Sequence, residues 1–369
     1  MRKLLQYSLF ATVAFLSGSC NAQSPWTAYE HLFLPGEHYI AYQAGEKIDI
    51  DGRADESSWS KAEWSDDFAD IEGDTKPAPL YRTRMKMLWD ETNLYILTEM
   101  EEPDIWSYYD KRDMVVFHEN DIEVFIDPDG DGLNYFEYEV NALNNLFDLF
   151  LPKSYRSSGQ ALISYNSLDF QSAVSIDGTL NTPGDTDKKW TVEMKIPFSD
   201  LVMWGSPITP NDGDQWRINF SRVNWQTDVK DGKYVKKTNP ETGKPLPEYN
   251  WVWSAPGIIS MHAPERYGLV QFSNHKAGEE PVAFNYPADQ HLRDCCWLVF
   301  YKQQAYHSKN KTYATTLDQL GLTDTLERNG QTFQVKLTAT PYQYKVFVTS
   351  PDNKTFSVNN DGFIQAVLK

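Results

Sequence analysis

The chain has 369 residues, enough for two domains or for one large all-β domain with a smaller unit beside it. Its 52 acids against 34 bases give a formal net charge of -18, a sign that argues against nucleic-acid partners and against docking on anionic lipid through a basic patch. Aromatic residues make up 14% of the sequence, a supply typical of aromatic-lined cores or ligand platforms, and no fixed-period repeat is visible.

At the N-terminus, Arg2 and Lys3 precede the apolar run Leu4–Leu16, and Ser17-Gly18-Ser19-Cys20 follows. A short apolar stretch after basic residues reads as an export signal, and small residues before a cysteine resemble a bacterial lipobox. The expectation is an exported chain, lipid-anchored through Cys20 in the outer membrane and displayed at the cell surface or in the periplasm. Ordinary cleavage near Ala22 is the alternative. Residues 1–22 are thus a processing segment, and 23–46 are a tether and a lead-in strand.

From Lys47 the pattern changes to short strands. Ile48 and Ile50 alternate, Asp51-Gly52 turns, and Asp55 is positioned to cap a short helix carrying Trp59. Tyr81–Asp90 and Leu94–Met100 read as a hairpin. Between Glu119 and Asn145 the apolar residues Ile122, Val124 and Ile126 alternate with Asp121, Glu123 and Phe125. Phe136, Tyr138 and Val140 alternate with Glu137, Glu139 and Asn141. Side chains in a strand alternate between faces, so paired strands here carry a carboxylate-rich polar face opposite a dry one. Further strands are expected at Leu162–Tyr165, Phe170–Ile176, Trp190–Ile196, Trp216–Arg222 and Leu269–Phe272, with a long exposed loop over 228–249. Many short strands separated by turn residues predict a mainly β protein, an antiparallel β-sandwich of jelly-roll type over residues 47–275.

After a linker near residue 276, Leu292, Cys295, Cys296, Val299, Phe300, Gln303 and Tyr306 recur at helical spacing, with a stop near Asn310. Three short strands follow in VKLTATPYQYKVFVTSPDNKTFSVNNDGFI. Residues 276–369 are therefore expected as a small α+β domain, a helix on an antiparallel sheet. Adjacent Cys295 and Cys296 are ill-placed to bridge each other and read as buried thiols.

Seven segments, in order, carry a family resemblance: IDGRADESSW, MLWDETNLYI, NDIEVFIDPDGDG, FEYEVNALN, WTVEMKIPFSDL, GDQWRINFSRV and APERYGLVQF. Over roughly residues 47–273 the chain resembles family 9 carbohydrate-binding modules. The resemblance implies a β-sandwich that binds oligo- or polysaccharide non-catalytically, often with structural calcium. The family's sugar slot lies between two tryptophans, with a carboxylate and an arginine beside them. Here the carboxylate position falls on Glu123, the tryptophan positions on Phe117 and near Met261, and the arginine position near Glu139. The last eighty residues resemble the globular ends of type IV pilins, without their hydrophobic assembly helix.

Sugar recognition needs an aromatic face for the C–H side of the ring and polar groups for its hydroxyls. Phe117, Glu123, Glu139, Asn141, Arg222, Asn224, Trp225 and Trp253 are the candidate ligand-binding residues, with Trp106 and Trp251 as further stacking candidates. Arg222 also reads as a neutraliser of Glu123 or Glu139, and Trp253 as a core residue. Asp127, Asp129 and Asp131, at every second position of DPDGDG, form a candidate calcium site, and a plain turn is the alternative. A glycosidase reading would use Glu123 and Glu139, but crowded acids on a polar face lack the apolar pocket that raises one carboxyl pKa. Met261-His262 supplies haem-ligand candidates without an attachment motif, and a protein-binding scaffold is the other alternative.

Overall fold

The computed structural model describes residues 24–203 and 205–367, so the processing segment and Cys20 lie outside the described residues. One large sheet dominates. Its main path runs Leu146–Lys153, Leu133–Asn141, Asp121–Asp127, Gln215–Asn224, Gly268–Lys276, His38–Gln43, Thr83–Trp89, Asn93–Glu101, Lys189–Pro197 and Gln171–Asp177. The sheet curls until its two halves face each other. Ile122, Val124, Phe136, Ile218 and Phe220 from one half meet Met85, Met87, Ile96, Val192 and Met194 from the other in a single dry core. This is the expected β-sandwich. The pairing is antiparallel except at His38–Gln43, which runs parallel to both neighbours and stitches the halves together.

The outer face of the second half is covered by the segment carrying Trp59. The helix there, Ser57–Lys61, follows Glu56 rather than Asp55 and has no side-chain cap. It is held instead by Glu193, which is buried on Lys189–Pro197. Its carboxylate accepts the Trp59 indole N–H at 2.8 Å and the backbone N–H groups of Asp51 and Gly52 at 3.1 and 3.0 Å. Gly52 sits at φ 81° directly over the Val174–Ser175 backbone, where a side chain would collide.

Three segments differ from the sequence reading. Leu162–Tyr165 makes only an isolated bridge with Phe150, whereas Leu146–Lys153, unassigned from sequence, is a full strand. Its alternation is masked because both faces are buried: Phe147, Leu149 and Leu151 pack outward and Leu146 and Phe150 inward. The stretch 228–249 is not an open loop but contains the hairpin Thr227–Lys230 with Lys233–Lys236, anchored by buried Tyr234.

The C-terminal unit has the predicted helix, Gln290–Asn310, on a meander of five strands between Thr325 and Ala366, two more than the sequence pattern marked. Cys295 and Cys296 are buried and unbridged. The central run Asp294–Tyr301 is buried throughout because the helix is covered on several sides. The sheet contributes Phe333, Val346 and Val358, and the residues expected as a tether contribute Trp26 and Leu32. Against the sandwich, Glu265 accepts the Tyr301 hydroxyl and an Arg156 nitrogen shared between both carboxylate oxygens, each at 2.9 Å.

Candidate functional site

The outer face of the first half carries the acids. Glu123 on Asp121–Asp127 lies directly opposite Glu139 on Leu133–Asn141, and Phe125 lies opposite Glu137. The sequence expectation that these acids share a face holds, but the face is not solvated. Val115, Phe125, Phe147, Leu149, Met261 and the Tyr155 loop rise around it and close a cleft of about 520 Å³, within the range of small-ligand sites. Its floor is Glu123, Glu137 and Glu139, and its rim includes Phe117, Tyr155, Ile163 and Ile259. Phe117 is 36% exposed, Tyr155 45% and Ile259 76%, so the lips present apolar surface to solvent.

The electrostatics follow from that enclosure. Burial pushes the Glu123 carboxyl up to about 7. Burial and then Glu123 push Glu137 well above the usual carboxylate range. Burial, Glu137 and Glu123 do the same to Glu139, which nonetheless accepts the Phe117 backbone N–H at 3.2 Å. Asp121, fully buried beneath the cleft floor, is raised by burial and by Glu123. The expectation that these acids lack an apolar pocket is therefore corrected. The pocket is built by residues far apart in sequence, with Ala161, Ile163, Ile259 and Met261 among them.

The remaining candidates divide. Phe117, on the short 3-10 turn Val116–His118, stands at the cleft mouth. Trp225 adjoins it from behind. Its indole N–H donates to the Phe117 carbonyl at 2.9 Å, and the Lys236 ammonium sits 3.3 Å over its ring. Asn141 shares the acids' face but is spent on a turn. Its side-chain oxygen accepts the N–H groups of Leu143 and Asn145, and its amide donates to the Tyr109 carbonyl.

Arg222, Asn224 and Trp253 are not brought to the cleft. Arg222 has the parity of Trp216, Ile218 and Phe220, so it points into the sandwich. There it donates to Glu102 at 2.9 Å, to the Glu101 carbonyl at 2.7 Å and to the Thr83 hydroxyl at 2.9 Å. Its partner is Glu102, not Glu123 or Glu139. Asn224 donates to the same Glu102 oxygen at 2.7 Å. Trp253 packs edge-on against Phe220 in the core and covers Gly268, where a Cβ would come within 2.4 Å of its ring. Trp251 likewise stacks on Tyr249 under the Arg222 guanidinium.

Sequence reasoning missed Tyr155 and, as site residues, Asp121 and Glu137. The signal for the two acids was present, since each shares strand parity with an assigned neighbour. Tyr155 has no such signal; a short turn after Leu146–Lys153 brings it in. Of the haem candidates, Met261 and His262 both line the cleft, and His262 Nδ1 is engaged by the Tyr135 hydroxyl at 3.0 Å. Burial and then Arg156 hold the His262 imidazole down at about 3, so it stays neutral.

Asp127, Asp129 and Asp131 place carboxylate oxygens within 4.8 Å of one another in the turn between the two acidic strands. An all-oxygen set of that size suits a hard cation. The turn also satisfies itself, because Asp127 accepts the N–H groups of Gly130 and Gly132, Asp129 that of Asp131, and Asp131 that of Leu133. A second cavity of about 300 Å³ lies between residues 33–38 and the C-terminal helix. Its arginines are already engaged: Arg266 with the Leu34 carbonyl, Arg328 with Glu30 and Arg217 with the Tyr267 carbonyl.

Residues 50–245 match the family model described as "Carbohydrate family 9 binding domain-like". The exoglucanase XynX of Acetivibrio thermocellus is 22% identical over 146 residues, 38% of this chain, and the match spans only about a tenth (11%) of that enzyme's length. Two solved structures of a family 9 carbohydrate-binding module from Caldicellulosiruptor kristjanssonii are similar over their whole length. The cellotriose complex covers 68% of this chain at 14% identity and a TM-score of 0.39, and the glucose complex covers 66% at 15% and 0.37.

Proposed function

We propose, because this chain belongs to the carbohydrate family 9 binding domain-like family, that its cleft captures a glycan without chemically altering it. The observation that carries this reading is the cleft itself, with three carboxylates on the floor and Phe117 and Tyr155 at the mouth. An aromatic lip covers the C–H side of a pyranose ring, and carboxylate oxygens accept from its hydroxyls. The paired tryptophans of the family slot are replaced here by smaller or flexible side chains, which suits modest affinity. Export with a lipid on Cys20 would hold such a binder at the envelope, where it hands glycan to a hydrolase or transporter.

Hydrolysis is the second reading, favoured by the enclosure that raises Glu123 to about 7. Glycosidases need one carboxyl protonated and its partner ionised, set by contrasting environments. Here Glu123 and Glu139 share one dry floor and are raised together. With neither carboxyl held ionised by a contrasting environment, binding is favoured over catalysis.

In calorimetry on the full chain with a panel of oligosaccharides, cello-oligosaccharides among them, saturable binding is expected without release of reducing ends. Phe117→Ala should weaken it by about tenfold, the order of one aromatic contact. A panel with no binder, or an affinity indifferent to Phe117→Ala, would sink the reading; turnover abolished by Glu123→Gln would replace it with hydrolysis.

Calcium in the Asp127–Asp131 turn belongs to the same proposal. The ion would brace the strand connection on which the C-terminal unit rests, where the Ile364 N–H donates to the Asp131 carbonyl at 2.9 Å. A ligand bound only by the folded state raises the melting temperature. Chelation should lower it by several degrees, and the double variant Asp129→Asn/Asp131→Asn should remove part of that response. An identical response in wild type and variant would dismiss the turn as a calcium site.

A further inference from the structure

We infer that Asp121, Glu123 and Glu139 form a second site for a hard divalent cation, of which calcium is the natural occupant, set into the floor of the cleft. These three side chains bring carboxylate oxygens within 4.8 Å of one another, and all three are buried. Acids cluster for many reasons, so the case rests on what surrounds them. Asp121 is wholly enclosed, yet neither of its oxygens meets a donor in hydrogen-bonding geometry. Glu137 is 3% exposed and one of its oxygens also lacks a partner. The buried Ser221 hydroxyl, register partner of Glu123, is a third such orphan at the same place. Buried polar groups in folded proteins are almost always partnered, and several orphans on adjoining strand positions indicate a missing guest.

The guest must be positive. Among the described residues no lysine or arginine pairs with any of these acids, and Arg112, Arg156 and the buried Arg222 are committed elsewhere, to Asp148, Glu265 and Glu102 respectively. An uncompensated buried carboxylate is costly, and a group of four on adjoining strand positions is more so. A cation resolves the repulsion between Glu123 and Glu139, which face each other directly across the strand pair. The donor set holds only oxygen, without histidine or thiolate, which selects calcium, magnesium or manganese over zinc or copper. Asp121 with two free oxygens, Glu123, Glu139 and the Ser221 hydroxyl approach the six to eight oxygens calcium takes, and the positions left over face the cleft.

The Asp127–Asp131 turn differs in its surroundings. There, backbone N–H groups already satisfy the carboxylates; on the cleft floor Glu139 accepts the Phe117 N–H, while neither Asp121 oxygen has a partner in hydrogen-bonding geometry. The open coordination positions would take hydroxyl oxygens of a sugar, a role that rests on the glycan reading, whereas the cation site does not.

The test titrates calcium chloride by calorimetry into chelator-stripped full-length protein carrying Asp129→Asn and Asp131→Asn, so that the cleft alone reports. One calcium per chain is expected, with affinity falling more than about tenfold on adding Asp121→Asn or, independently, Glu139→Gln. Circular dichroism confirms that each variant is folded, and two separate variants guard against one that is not. No calcium, magnesium or manganese uptake, or uptake untouched by both substitutions, overturns the site. Calcium bound as described with no glycan binding upholds the site while the glycan reading fails. Glycan bound equally well in stripped protein that takes up no metal upholds that reading while the site fails.

Discussion

Arg222→Ala is expected to destabilise the protein by roughly 3–5 kcal/mol, the cost of stranding a buried charge. Arg222 is fully buried, and Glu102 is 4% exposed. Burial drives the arginine pKa down and the Glu102 pKa up, and the mutual attraction only partly offsets either. Both directions report the same fact: the pair gains little over two neutral groups, but one partner alone is strongly disfavoured. Replacing both, as Arg222→Met with Glu102→Gln, should therefore recover much of the loss. The amide introduced by Glu102→Gln would keep an oxygen for Asn120 and Asn224, which now donate to the carboxylate at 3.1 and 2.7 Å.

The pH dependence of the single variant follows from the sign of the Glu102 shift. Without Arg222 the folded-state carboxyl is raised further above its unfolded value, so the folded state holds a proton the unfolded state has released. Stability then falls as pH rises above the ordinary carboxylate range. The defect of Arg222→Ala in urea denaturation should accordingly be smaller near pH 5 than near pH 8. A defect of under about 1 kcal/mol, or one that does not depend on pH, would show that the pair is not the buried unit described.

Trp253→Ala carries the second large effect, about 3–5 kcal/mol, from the cavity left by a fully packed indole. Trp253 is 4% exposed and lies on Phe220 and over Gly268. The aromatic content and position of this residue made it a stacking candidate for sugar, and the two roles predict opposite results. As a core residue, its loss lowers the melting temperature sharply while the folded fraction binds glycan as before. As a ligand, its loss would abolish binding at little cost to stability. Denaturant melts and calorimetry on the same preparation separate the two outcomes.

The acids and the tryptophans show where sequence reasoning succeeds and where it stops. Period-two alternation placed Glu123 and Glu139 on one face because parity within a strand is a local property. The same rule, applied to Gln215–Asn224, would have sent Arg222 inward with Trp216, Ile218 and Phe220. Treating it as an acid's partner ignored that signal. For Trp251 and Trp253 spacing established only that they face alike; the choice between core and surface belongs to the sheet they pair into. Leu146–Lys153 was illegible for a related reason, since a strand buried on both faces shows no alternation.

Strand periodicity, turn residues and a helical repeat were enough to predict the β-sandwich, the C-terminal helix-on-sheet unit and the gathering of carboxylates on one strand pair, because the patterns that mark them are local in the chain. Whether those carboxylates meet water or a dry cleft was decided by tertiary structure alone. Segments around residues 115, 155–163 and 259–262, remote in sequence, fold over the acidic face and leave its carboxylates nearly inaccessible to solvent. Desolvation is a property of everything that surrounds a group, and no local pattern encodes it.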